Sequence, residues 1–143
     1  MTTSGLITVG WREWLALPAL GIPALKAKID TGARSSALHV DALEVIEQGG
    51  RSVARFTLRP GADREPIHAE ADVIDVRPVT DSGGQTRHRP FIRTVVRLAG
   101  HEWSIDMNLT NRTNMLFPML LGRTAMAGRL RVDPAQSYLL GEP

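Results

Sequence analysis

The sequence contains no cysteine. Disulfides and thiolate metal sites are therefore excluded, and nothing further about compartment follows from that absence. Lysine is nearly missing as well: of 17 basic residues, only Lys26 and Lys28 are not arginine. Aromatics make up 5% of the chain, which disfavours a basic nucleic-acid-binding barrel, because bases stack on exposed rings set among basic strands. Two of those rings, Phe56 and Trp103, also fall on faces expected to point inward. No apolar run approaches the ~20 residues of a bilayer span. The opening Met1-Thr2-Thr3-Ser4 lacks the basic-then-apolar order of a secretory signal, so the cytoplasm is the expected compartment. Long amphipathic helices, internal repeats and low-complexity tracts are absent too.

What remains has the apolar and charged fractions of a soluble globular protein. Its 143 residues suit one domain, spanning 1–143, and are too few for two lobes of ordinary size. The arginines admit two readings. Codon bias is one; an acidic partner is the other, since a guanidinium reads carboxylates and phosphates through a planar fork.

Apolar residues recur at every second position. Leu6 to Val9 and Trp11 to Leu17 read as strands, followed by a loop through Pro18 and Gly21-Ile22-Pro23. Leu25 to Asp30 is the next strand. Leu38 and Val40 alternate with polar neighbours, and Leu43 and Val45 continue out of phase, which predicts a bulge near Ala42. Gln48-Gly49-Gly50 reads as a hairpin turn before Ala54, Phe56 and Leu58. Pro60 to Pro66 is a polar loop, and Ile67, Ala69, Ala71 and Val73 form a strand face. Val76 to Pro90 holds a Gly83-Gly84 tip between two arms. Ile92 to Leu98 and His101 to Leu109 follow, then a loop through Asn111 and Asn114, an apolar strand ending at Gly122, and one helical turn over 123–127. Leu130 to Val132 and Tyr138 to Leu140 complete the strands. Many short strands at regular spacing predict an all-β, closed or nearly closed barrel.

One stretch carries chemistry. The strand through Ala27-Lys28-Ile29 runs into Asp30-Thr31-Gly32-Ala33. A carboxylate at the mouth of a strand, beside a glycine that lets backbone approach, can act as a general base on water. The triplet alone is also what a capped, strand-ending turn looks like. Its second support lies about ninety residues on, in Met119-Leu120-Leu121-Gly122-Arg123.

Together these stretches resemble the two signatures of the retropepsin-like aspartic peptidases, with Ser36-Ala37-Leu38 extending the first. Gly10-Trp11-Arg12-Glu13-Trp14, Leu20-Gly21-Ile22-Pro23-Ala24 and Asp106-Met107-Asn108-Leu109 narrow the resemblance to one bacterial branch. That branch is labelled ATP-dependent zinc protease and is associated with RimK-type ATP-grasp glutamate ligases. The resemblance covers about residues 7 to 140. It implies a single-lobe, closed retropepsin-like barrel that dimerises to complete its active site. Asp30, Thr31 and Gly32 would be the catalytic motif, with Thr31 bracing the loop across the dimer axis. Leu120, Leu121, Gly122 and Arg123 would support the site from beneath. Val76 to Pro90 sits where a mobile flap lies.

An aspartic peptidase needs two carboxylates sharing a proton. Asp81-Ser82-Gly83 is a poor second copy: Thr80 precedes it where an apolar residue is expected, and Gly84-Gln85 follows. A Gly-Gly tip between strands is a hairpin turn. The second carboxylate is then expected from Asp30 of another copy in a two-fold homodimer. Retropepsins usually carry Asp two residues after the motif glycine, paired with the arginine of the second signature. Here Arg34 and Ser35 stand instead, which removes the usual partner of Arg123.

Ala33, Arg34, Ser35, Gly83, Gly84, Arg87 and Arg89 are the candidate substrate-binding residues. Three arginines around one cleft favour acidic peptides or glutamylated proteins, unless Arg34 merely pairs with a local carboxylate. No cofactor is expected. The four histidines at 39, 68, 88 and 101 stand alone, and His39 and His68 alternate outward as solvated residues do, so no metal site is expected. There is also no Gly-rich loop ending in Gly-Lys-Ser/Thr, so any ATP dependence would belong to a partner ligase. Two further readings stay open: a non-catalytic dimeric binding module, and a zinc-dependent protease.

Overall fold

A computed structural model describes residues 5–61, 63–112 and 116–143. The expectations for Met1 to Ser4 and for Asn114 lie outside the described residues. The chain is all-β, with strands β1 (Ile7–Val9), β2 (Arg12–Leu17), β3 (Ile22–Asp30), β4 (Ser36–Val40), β5 (Ala42–Gln48) and β6 (Arg51–Leu58). They continue as β7 (Ile67–Thr80), β8 (Thr86–Leu98), β9 (His101–Asn111), β10 (Met119–Gly122) and β11 (Leu130–Val132), with α1 a single turn over Arg123–Met126. Among the described residues, nine strands form one sheet in the order β2-β3-β10-β4-β9-β8-β7-β6-β5. Pairing of Ala16 with Arg97 joins β2 back to β8 and closes the first six strands of that order into a barrel. This is the closed barrel expected from the period-two pattern.

Alternation explains the closure. On β8, Ile92, Thr94, Val96 and Leu98 are buried, while Arg93 and Arg97 point out to Asp106 and Glu102 directly across the pair with β9. Leu15, Leu25, Leu38, Met107, Leu109, Met119 and Leu121 fill the interior from the other barrel strands. Arg51 pairs with Asp72, and Arg55 with Glu70, on the outer sheet. Four of the fifteen arginines, Arg51, Arg55, Arg93 and Arg97, are thus answered by exposed cross-strand pairs, each worth little by itself.

Three local expectations need correction. The strand after Gly21 begins at Ile22, because the Pro18–Leu20 3-10 turn ends in Gly21 at φ +73° and hands the chain straight back to β2 at Leu17. The slip near Ala42 is a corner between two strands and not a bulge within one. Val40 ends a strand paired with β9, Asp41 N–H donates to Thr57 O, and Ala42 begins a strand paired with β6. Residues 138–140 form a turn, not a strand. Tyr138 N–H donates to Arg12 O, and buried Glu13 accepts from the N–H groups of Leu139 and Leu140 and of Gly10.

That carboxylate ties the C-terminal segment to β2. A buried acceptor that serves three backbone donors leaves three amides unsatisfied when removed. Glu13→Ala is expected to lower stability by about 3 kcal/mol, read by urea denaturation; a loss within ~0.5 kcal/mol would show the staple to be unimportant.

Candidate active site

Asp30 stands at the last position of β3 because of what lies beside it. β10 runs parallel to β3, pairing Leu121 with Ile29 and Gly122 with Asp30, and antiparallel to β4, pairing Leu120 with Ala37. The strand from the second motif is therefore inserted between the strands that enter and leave the first. Gly122 fits only as glycine, for reasons of space: an added Cβ would lie 2.5 Å from the carbonyl carbon of Ser35 and 2.6 Å from its oxygen. Its N–H donates to Ser36 Oγ at 3.0 Å, and Ser36 O accepts from buried Asn108 Nδ2 at 2.9 Å.

The loop itself is tightly held. Gly32 N–H donates to Asp30 Oδ1 at 2.9 Å, and Ala33 N–H to Asp30 O at 3.2 Å. From α1, Arg123 N–H donates to Ala33 O, and Thr124 gives both its N–H and its hydroxyl to Arg34 O. Arg123 Nη1 reaches Gly32 O at 3.2 Å and Thr31 O at 3.4 Å. The arginine that lacks its usual carboxylate thus turns to the carbonyls of the Asp30-Thr31-Gly32 loop.

A cleft of about 480 Å³ opens over Asp30. Gly32, Ala33 and Ser35 line it, with Lys28, Ala37, His39, Asn108, Thr110, Phe117 and Leu120 as floor and walls. Val79 to Ser82 line the same cleft from the β7–β8 hairpin. That hairpin pairs Val76 with Pro90 and Thr80 with Thr86, and turns through Gly84 at φ +82°. Asp81 Oδ1 accepts from Gly83 N–H and Gln85 N–H, so this carboxylate staples the turn.

The predicted contact residues separate. Ala33, Ser35 and Arg89 line the cleft, whereas Arg34, Gly83, Gly84 and Arg87 do not. Arg34 is exposed. Arg87 faces an adjoining depression and donates to Gln85 Oε1. Thr31 is exposed beside a shallow groove floored by Met126, Leu130 and Val132.

Two residues that sequence reasoning passed over belong to the cleft. Arg112 lines it from the end of β9. His39 is not a solvated outward residue: its Nδ1 is shielded and has no hydrogen-bond partner among the described residues. Burial, then the charges of Arg112 and Arg89, holds its pKa below the ordinary imidazole value, so the ring is neutral at neutral pH. Strand alternation showed that His39 leaves the barrel interior, but alternation cannot tell solvent from a cleft. His68 is exposed and meets Thr57 Oγ1, as its outward phase suggests. Arg89 is held in place by Thr110 Oγ1 at 3.0 Å and Asn108 Oδ1 at 3.4 Å.

A family model described as RimB-like, retropepsin-like aspartic endopeptidase RimB, matches residues 8–143. The chain belongs to that family. Similar proteins include probable alpha-L-glutamate ligases of Shewanella halifaxensis and Desulfotalea psychrophila, each 40% identical over 136 residues. This RimB-like chain spans only 30% and 29% of their lengths, while 94% of it is covered. A solved structure of a Legionella pneumophila protein of unknown function matches at TM-score 0.74 and 30% identity, covering 93% of this chain and 97% of that one.

The zinc in the branch's label finds no ligand set among the described residues of this RimB-like chain. Among the described residues, no three His, Asp or Glu side chains converge as a ligand set. No helix among them is long and apolar enough to cross a membrane.

Proposed function

We propose that the protein is a cytoplasmic, homodimeric aspartic endopeptidase that acts on acidic peptides. The observation that carries this reading is Asp30, fixed by Gly32 N–H at the end of β3 and open to a cleft shared with the β7–β8 hairpin. One carboxyl oxygen is committed to that amide, and the other is left for water. In a two-fold dimer the partner's Asp30 supplies the second carboxyl, and the pair shares one proton. The ionised carboxylate takes a proton from water as its oxygen attacks the peptide carbonyl carbon. The protonated one gives its proton to the carbonyl oxygen. Collapse of the resulting diol breaks the C–N bond, and the leaving amine takes up a proton. The exposed Thr31 and the apolar groove beside it support self-association at this edge.

The acidic preference is supported by Lys28, Arg89 and Arg112 in one cleft, none of them in an ion pair among the described residues. Cations without a protein counter-ion concentrate substrate carboxylates. Arg89 is already oriented by Asn108 and Thr110, so little freedom is lost when it binds. Relatives named as glutamate ligases carry a segment like this chain within longer proteins, which supports a working link to a glutamate ligase and to glutamate-rich tails as substrate.

Incubation with oligoglutamate, oligolysine and neutral peptides, with products read by mass, tests the proposal. Cleavage of oligoglutamate is expected to dominate. Arg89→Ala and Arg112→Ala should each lower kcat/KM on it by about 10- to 100-fold, while a neutral peptide changes by less than about threefold. Arg55→Ala, on the outer sheet and paired with Glu70, serves as the control. Equal cleavage of all three peptides would end the acidic preference and leave the peptidase reading in place.

A further inference from the structure

We infer that Arg123 is a positioning residue that acts on the Asp30 carboxylate through a single peptide bond. The inference rests on the peptidase reading above. The Thr31 carbonyl and the Gly32 amide are the two ends of one peptide unit. At one end, Arg123 Nη1 donates to Thr31 O at 3.4 Å; at the other, Gly32 N–H donates to Asp30 Oδ1 at 2.9 Å. A cation on the carbonyl end draws electron density away from the amide. The N–H then becomes a stronger donor, and successive hydrogen bonds polarise one another. The second contact, to Gly32 O at 3.2 Å, fixes the guanidinium at the loop.

The charge is also undiluted. Arg123 has no carboxylate partner among the described residues, because the position two beyond Gly32 holds Arg34. Its partners are neutral carbonyls, so its charge is spent on the loop. The Arg123 backbone is held independently, through its N–H to Ala33 O at 2.8 Å and through Ala127 N–H to Arg123 O. Removing the guanidinium therefore leaves the helical turn and its loop contacts in place. The side chain is exposed, and solvent screens part of its field. Its reach comes mainly through the bonded route.

The arrangement strengthens and orients the hydrogen bond that holds Asp30 Oδ1 and leaves the other carboxyl oxygen to the cleft. Arg123→Gln is expected to lower kcat by about 10- to 100-fold, the range that outer partners of a reactive group command. KM should stay close to the wild-type value, because Arg123 is not among the residues lining the cleft. Arg123→Lys keeps the charge and one donor, and should recover part of the lost kcat. A second readout needs no turnover: in the amide NMR spectrum, the Gly32 proton should move upfield in Arg123→Gln and partly return in Arg123→Lys. An unmoved Gly32 proton in the folded variants would overturn the relay, as would a fall in kcat with no rescue by lysine. If Arg123→Gln does not fold, the lysine variant is read alone: a Gly32 proton identical to wild type together with an unchanged kcat would overturn the relay. If the wild-type protein cuts no peptide, the peptidase reading falls, and the Gly32 resonance still judges the relay.

Discussion

Asp30→Asn is expected to abolish peptide cleavage, by about a thousandfold or more, and to leave the fold intact. The size follows from what the amide cannot do. It can hold no proton to share and carries no charge to draw one from water, and general acid–base catalysis alone commands roughly 10²–10⁴ in rate. The fold should be spared because, among the described residues, the carboxylate takes one hydrogen bond, from the Gly32 amide, and an asparagine carbonyl oxygen can accept the same bond. Product formation followed by mass spectrometry, with circular dichroism as the fold control, checks both halves. Chelators should leave wild-type activity unchanged. Turnover near wild type in the asparagine variant would remove Asp30 from the chemistry.

Gly122→Ala is the second large effect, and it is expected to cost stability and activity together. The new methyl would stand 2.5 and 2.6 Å from the Ser35 carbonyl atoms and 2.9 Å from Ser36 N. These are backbone atoms in the segment joining the Asp30-Thr31-Gly32 loop to β4, and they cannot swing aside as a side-chain end would. Relief requires that β10 separate from β4. That would break Gly122 N–H to Ser36 Oγ and shift the strand that sets the register of Asp30. Overpacking of this kind costs about 3 kcal/mol, or roughly 10 °C in Tm. Calorimetry and peptide turnover on the same sample measure it. A variant with unchanged Tm and unchanged rate would show that the close approach of β10 is not what places the loop.

Much of this was legible in the sequence because it is local or periodic. Alternation along β8 and β9 marked the inward faces, and the two motifs marked both strands that meet beneath Asp30. The Gly83-Gly84 tip marked the hairpin. What stayed hidden depends on tertiary partners. The corner at Asp41 and the turn at residues 138–140 follow from Thr57 and Glu13, distant in sequence, taking backbone donors that the local pattern assigned to strands. The cleft was legible only in part. Arg89 was visible on the return arm of the hairpin, but nothing in the pattern around His39 or Arg112 says that Asp30 lies across from them. Arg34 was placed near substrate on motif distance alone. Its backbone carbonyl is the part used, held by Thr124, while its side chain lies outside the cleft lining.

The central claim is that one active site needs Asp30 from two chains, and mixing tests it directly. Wild-type and Asp30→Asn chains are combined in equal amounts, allowed to exchange subunits, and assayed on oligoglutamate at constant total protein. If both carboxylates are required, only wild-type homodimers act, and activity falls to about a quarter of the all-wild-type value under random two-fold assembly. A site complete within one chain, for instance one that drew on Asp81 in the same cleft, would leave about half. A quarter is the result predicted here, and a half would contradict it.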